Sequence, residues 1–289
     1  MADGLFRWRE IADGVFQITN VLDERAYLVR GDERALLVDT CSGYGDIFET
    51  VKKIVGDMPT DVALTHSHYD HVGGTFGCDR VFSSEADGYA WEDEIRRGIE
   101  AYGKLVADGT FDPAIKLACM EKARPRVTHI AEGDTFDLGV LTVEVVGLAG
   151  HTAGSIGFLV RERKILISGD AVTPIMCLWF GDSLPIAGYR ETLSKMAGLD
   201  FDVFYTGHHA DPFDKSTLKS FDECAAYAET ARGMTWQHAL VEDYKGTIYL
   251  APCDTDDVDS PDFRALIGPY VPRVRKPAKR RKARPAEQA

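Results

Sequence analysis

The chain has 289 residues, 45% of them hydrophobic and 27% charged, the make-up of a soluble globule large enough for one sizeable α/β domain. It contains no apolar run of bilayer-spanning length, and Met1 to Trp8 has no apolar core of signal-peptide length, so a membrane role is not expected and a cytoplasmic location is. Eight Lys/Arg against Glu287 give residues 273–289 a charge of +7 within a total of −13, which leaves −20 on the rest and argues against nucleic acid or another polyanion as partner.

Val15 to Thr19 and Ala26 to Arg30 alternate as two strands around a charged turn at Asp23-Glu24-Arg25, and Ala35 to Asp39 reads as a buried strand. Ile47, Val51, Ile54 and Val55 mark one face of a helix. Val62 to Thr65 is a short buried strand that ends at His66-Ser67-His68-Tyr69-Asp70-His71. His66 and His68 are two apart, and extended chain points both imidazoles to one side. Three imidazoles and a carboxylate in six residues, from a chain with 8 His in all, suit a borderline cation such as Zn²⁺ that takes N and O ligands. After a strand at Arg80 to Ser83, residues 85–124 read as a mainly helical insert, either a lid beside the site or a packing element outside it.

Thr128 to Ile130, Thr135 to Leu138 and Leu141 to Val146 are strands, and Ser155 to Val160 with Lys164 to Ile167 form a hairpin. A helix over Tyr189 to Ala197, a strand at Val203 to Thr206 and a helix over Lys215 to Arg232 follow. Gly246 to Leu250 reads as a last strand, after which order fades, so one domain over residues 1–272 is expected. The Lys/Arg/Pro-rich residues 273–289 read as a disordered tail. Six cysteines are scattered without CxxC spacing, which points to neither a disulfide framework nor a Cys-zinc site.

Three further motifs follow strands: Gly150-His151-Thr152-x-Gly154-Ser155, Ser168-Gly169-Asp170 and Thr206-Gly207-His208. Together with His66-x-His68-x-Asp70-His71, in this order, they resemble the signature of the metallo-β-lactamase superfamily of metallohydrolases. Asp39-Thr40-Cys41-Ser42-Gly43 resembles the family's early Asp-Thr-Gly segment, whose Asp supports the metal loop, with Cys41-Ser42 interposed here. The resemblance implies a four-layer αβ/βα sandwich with a helical insert and two divalent metal ions, zinc first and iron or manganese as alternatives. His66, His68 and His151 would hold one ion and Asp70, His71 and His208 the second, with Asp170 bridging. Water or hydroxide held between the ions would be the nucleophile, and Asp70 would also pass a proton to the leaving group.

His208 and His209 are adjacent; the Gly207-His208 match favours His208, with His209 facing the pocket. Met176, Leu178, Trp179 and Phe180, soon after Asp170, read either as the apolar wall of a small-molecule pocket or as core. His129 and His238 lie outside any motif and read as structural. The expected reaction is cleavage of a small ester, thioester or lactone, as in the glyoxalase II and lactonase branches. The alternatives are a phosphodiesterase or RNA-processing nuclease of the same fold, which the acidic body opposes, and an iron-dependent oxygenase similar to the persulfide dioxygenases. Glyoxalase II adds a basic helical C-terminal domain, for which residues 233–272 are too short and too acidic.

Overall fold

The computed structural model describes residues 4–88, 91–240, 244–253, 255–258 and 260–270. Strands β1 (Phe6–Ala12), β2 (Val15–Asn20), β3 (Arg25–Arg30) and β4 (Ala35–Val38) pair antiparallel, each joined to the next by a short turn. Helix α1 (Ile47–Val55) then carries the chain over, so that β5 (Thr60–Ala63) pairs parallel with β4. The Asp46 side chain caps α1 by accepting from Phe48 N at 2.9 Å. Helix α2 (Tyr69–Val72), β6 (Arg80–Ser84), α3 (Trp91–Ala107), α4 (Ala118–Glu121) and β7 (Arg126–Ile130) complete a seven-stranded mixed sheet in the order β1 to β7.

The second half supplies β8 (Thr135–Asp137), β9 (Thr142–Gly147), β10 (Ile156–Val160), β11 (Ile165–Gly169), β12 (Ile175–Cys177), α5 (Ile186–Gly198), β13 (Val203–Thr206), β14 (Phe213–Asp214) and α6 (Leu218–Thr230). Its six-stranded sheet runs β14-β13-β11-β10-β9-β8. Three closing strands, β15 (Met234–Gln237), β16 (Lys245–Leu250) and β17 (Ala265–Pro269), join β12 in a third sheet of order β12-β17-β16-β15.

The layers follow from the period of two along each strand. Val15, Val29, Leu36 and Val38 meet Val143, Val145, Phe158 and Ile167 of the second sheet in a core between the sheets. The alternate residues Phe16, Ile18, Leu28 and Leu37 turn outward against Ile47 and Val51 of α1 and Trp91 of α3. On the far side Leu159, Leu166 and Phe204 pack on Tyr189 and Leu193 of α5 and Phe221 of α6. Each fully buried large apolar side chain contributes about 1.5–3 kcal/mol, so this pattern sets which face of each strand points where. The result is the expected αβ/βα sandwich.

The structure departs from the sequence reading at both ends of the chain. Strand β1 was not anticipated; its burial is slight, with Trp8 48% exposed, so little alternation marks it. Order does not fade after Leu250, because β17 pairs antiparallel with β16 and parallel with β12, some ninety residues earlier in the chain. The expected tail, residues 273–289, lies outside the described residues. Among those described, no helix is long and apolar enough to cross a membrane.

Candidate metal centre

The motif histidines and aspartates lie in helix α2 and in the loops that follow β5, β9, β11 and β13. The chain reaches His66 three residues beyond β5, and the Thr65 carbonyl just before it accepts Ile156 N of the second sheet at 2.9 Å. His151 sits in the loop after β9, Asp170 directly after β11 and His208 two residues after β13. Two sets of side chains result, His66/His68/His151 and Asp70/His71/Asp170/His208, and within each set the donor atoms lie within 4.8 Å of one another.

The orientation of each ring is fixed from behind. Asp39 accepts Thr65 N, Thr65 Oγ1 and His71 Nδ1, each at 2.8 Å, so the Nδ1–H of His71 is committed and its Nε2 lone pair faces the cluster. This is the support that the Asp-Thr segment implied. His151 Nδ1 donates to the Cys177 carbonyl at 2.8 Å, which turns its Nε2 inward in the same way. Inside the first set, His68 Nδ1 lies 3.1 Å from His66 Nε2 and 2.9 Å from His151 Nε2. Three ring nitrogens converging this closely suit a shared cation better than one another.

Asp170 Oδ2 is 3.1 Å from His208 Nε2, 3.6 Å from His71 Nε2 and 3.9 Å from His151 Nε2, which places it between the two sets. Asp70 Oδ2 is 3.3 Å from His208 Nε2 and 3.8 Å from His71 Nε2. Although burial alone would raise them, His71 and His208 hold the Asp70 and Asp170 carboxyls well below the usual range. Burial would lower His208 and His71, but the facing carboxylates dominate, lifting His208 to about 10 and His71 well above its ordinary value. In the first set burial, reinforced by neighbouring imidazoles, keeps His66, His68 and His151 neutral. The two ionised carboxylates of the second set thus attract positive charge, which the protons on His71 and His208 supply and which a bound cation would supply in their place.

The residues fit a pair of metal ions on two further observations. His71 Nε2 and Asp170 Oδ1 are buried with no hydrogen-bond partner, an expensive state for polar atoms unless a cation takes them up. Gly207 lies so close to the cluster that an added Cβ would come within 2.5 Å of Asp170 Oδ1 and 2.6 Å of His71 Cε1, so only glycine lets the His208 strand approach. The N and O donor types suit zinc, and the same set admits iron or manganese.

Beside the cluster is a cavity of about 400 Å³, with His68, Asp70 and His208 on the metal side. Trp179, Phe180 and His209 also line it. Met176 does not. It is 2% exposed in the core under α5 and α6, with Leu178 beside it. The reason is strand alternation through β12: Thr173, Ile175, Cys177 and Trp179 face the cavity, and Met176 and Leu178 face away. The Cys177 thiol, pushed up to about 12 by burial and by Asp170, stays protonated.

Sequence reading passed over several residues here. His238, read as structural, lines the cavity with Trp236 of β15 and Tyr244, which directly precedes β16. Trp236 and His238 stand two apart, a same-side signal that was available but carried no motif. Asp87, 1% exposed after β6, accepts Ser67 N and Thr152 Oγ1, each at 3.0 Å, and so joins the His66–His68 loop to the His151 loop. Glu94 of α3, also 1% exposed, accepts Tyr69 N and Tyr244 OH, each at 3.3 Å, and pairs with Arg97.

Comparison with known proteins gives the same picture. A model of the metallo-β-lactamase superfamily matches residues 19–208. The chain is 29% identical over 183 residues to the acyl-coenzyme A thioesterase MBLAC2 of Homo sapiens, an alignment covering 57% of this chain and 65% of that protein. It is 26% identical over 195 residues to the probable metallo-hydrolase YqgX of Bacillus subtilis, covering 65% and 80%. A hydroxyacylglutathione hydrolase of Ruegeria pomeroyi is 29% identical over 153 residues, covering 51% and 47%. Among solved structures, a metallo-β-lactamase from Pontibacter korlensis superposes with a TM-score of 0.55 at 20% identity, covering 76% of this chain and 99% of that one. That likeness is one of fold.

Proposed function

This chain belongs to the metallo-β-lactamase superfamily, and we propose that it is a dinuclear metal-dependent hydrolase of small carbonyl substrates, an ester, thioester or lactone. The observation that carries the reading is the pair of donor sets meeting at Asp170, with His68, Asp70 and His208 of those sets bordering a largely apolar cavity. His66, His68 and His151 would hold one ion, Asp70, His71 and His208 the other, and Asp170 both. Two bound divalent ions, zinc on the donor chemistry, supply an activated water and polarise the substrate carbonyl.

The chain's own groups do the rest. Asp39 and the Cys177 carbonyl hold the imidazoles of His71 and His151 in the tautomer whose Nε2 points inward. Asp70, whose side chain is 20% exposed, borders the cavity and is placed to receive a proton and return it to the departing oxygen or sulfur. The apolar walls exclude bulk water and strengthen the electrostatics of the centre. Among the described residues lining the cavity there is no serine, and the thiol of Cys177 stays protonated. Relatives named as a thioesterase and a hydroxyacylglutathione hydrolase support the choice of a carbonyl bond. A nuclease reading has less support, because no Lys or Arg is among the described residues lining the cavity.

The test is elemental analysis of the purified protein followed by a panel of thioesters, esters, lactones and phosphodiesters, with Asp70→Asn alongside. Two ions per chain and turnover of a carbonyl ester or thioester are expected. Asp70→Asn should fold, lose occupancy at one ion and lose turnover about 10²-fold or more, because the amide neither ligates strongly nor takes a proton. Bound iron with consumption of dioxygen, or turnover of phosphodiesters alone, would overturn the reading, as would full activity of Asp70→Asn with both ions bound.

A further inference from the structure

The cavity wall beyond the donor residues is built of rings. Phe180 lies 4.2 Å from the His68 ring and stacks on Trp179 at 3.9 Å. Trp179 in turn meets Tyr244 at 4.4 Å and Trp236 at 5.7 Å. An aromatic surface thus runs without a break from a donor imidazole to the third sheet, and Ile175 and Ile267 add aliphatic surface. Among the described lining residues there is no Lys or Arg, and Asp70 is the one carboxylate, already engaged with His71 and His208 on the metal side. The ringed part of the wall therefore offers no countercharge to an anionic or a cationic group.

Resting on the hydrolase reading above, we propose that the substrate's scissile carbonyl carries an uncharged apolar acyl group of aryl or medium-chain size, selected by Trp179, Trp236 and Tyr244. A cavity of about 400 Å³ has room for such a group beside the centre. Each methylene buried from water is worth about a factor of four in affinity, and an aryl ring gains further from stacked or edge-on contacts with the wall. The same ring faces attract cations, but a quaternary ammonium group would leave water without a carboxylate to meet it. Trp236 and Tyr244 lie outside residues 19–208, the part matched by the superfamily model, whereas Trp179 and Phe180 lie inside it.

The test uses the full-length, metal-loaded protein and calorimetric titration with carboxylic acids, so that binding is read without turnover. The probes are acetate, phenylacetate, octanoate, and the isosteric pair 3,3-dimethylbutanoate and trimethylammonioacetate. Phenylacetate and octanoate should bind at least about tenfold more tightly than acetate, and Trp236→Ala should cut that preference to below about threefold with both ions still present. Should Trp236→Ala lose its metal, Trp236→Leu and Tyr244→Ala carry the same comparison. Equal affinity for acetate and phenylacetate would overturn the proposal, as would a preference that survives all of these substitutions. Tighter binding of trimethylammonioacetate than of its neutral isostere would overturn it in favour of a cation site. Failure of the hydrolase reading would look different: a persistent apolar preference with two ions bound and no carbonyl substrate turned over.

Discussion

At the residue scale, Asp87 shows how two loops from different sheets are kept in register. One carboxylate oxygen accepts both Ser67 N, between two donor histidines, and Thr152 Oγ1, next to the third. Removing it leaves the buried Ser67 N unsatisfied, at about 1–3 kcal/mol, and leaves Thr152 Oγ1 only its contact with Ser155 Oγ. Asp87→Ala should therefore lower the melting temperature and weaken one of the two metal equivalents about 10–100-fold, the range typical for residues that orient ligands. Competition with a chromophoric chelator measures this. Asp87→Asn keeps an oxygen in place and should recover most of the affinity; an Asn variant as weak as Ala would show that the oxygen is not what holds the loops. None of this was legible from sequence, because an acid after a strand reads as an ordinary turn residue. The seven candidate positions came from the resemblance of four ordered motifs to a family signature, and the structure brings their donor atoms into two groups. Met176, Leu178, Trp179 and Phe180 read as one group, wall or core, and the period of two divides it, sending Met176 and Leu178 into the core and Trp179 into the cavity.

At the scale of elements, α3 is where the helical insert meets the site. Its Glu94 is buried against Tyr69 and Tyr244, so the insert grips both the metal loop and the third sheet. Burial raises the Glu94 carboxyl to about 7, and Arg97, 24% exposed, offsets only part of that cost. The native state then holds a proton between about pH 4.5, where the unfolded chain releases it, and about pH 7, so stability falls as pH rises through that window. The two-and-a-half-unit difference corresponds to about 3 kcal/mol at most. Glu94→Gln cannot ionise, so its melting temperature relative to wild type should climb between pH 5 and pH 8. A difference that shrinks over that range would mean the ionised Glu94–Arg97 pair is stabilising. Most strands of the two large sheets were readable from alternation and their layering only from the resemblance, while of the third sheet only β16 was readable. Its strands β12 and β17 are short and distant in sequence, and pairing across such a gap leaves no local pattern.

At the scale of the whole molecule, the donors are shared between the halves: residues 66, 68, 70 and 71 come from the seven-stranded side and residues 151, 170 and 208 from the six-stranded side. Whatever occupies the centre thus acts as a rivet through the seam, holding together two layers that otherwise meet through apolar contacts and bonds such as Ile156 N to Thr65 O. On the proposed reading, folding and loading would form a single linked equilibrium. The unfolding free energy should rise with free Zn²⁺, by about 4 kcal/mol at a thousandfold excess over the dissociation constant. Stripping the metal should let the seam breathe before the sheets themselves unravel. Hydrogen exchange on the stripped protein should then quicken together in residues 66–72 and 206–209 while the strands behind them stay protected. Uniform acceleration across both sheets would mean that the halves part only when the whole molecule melts.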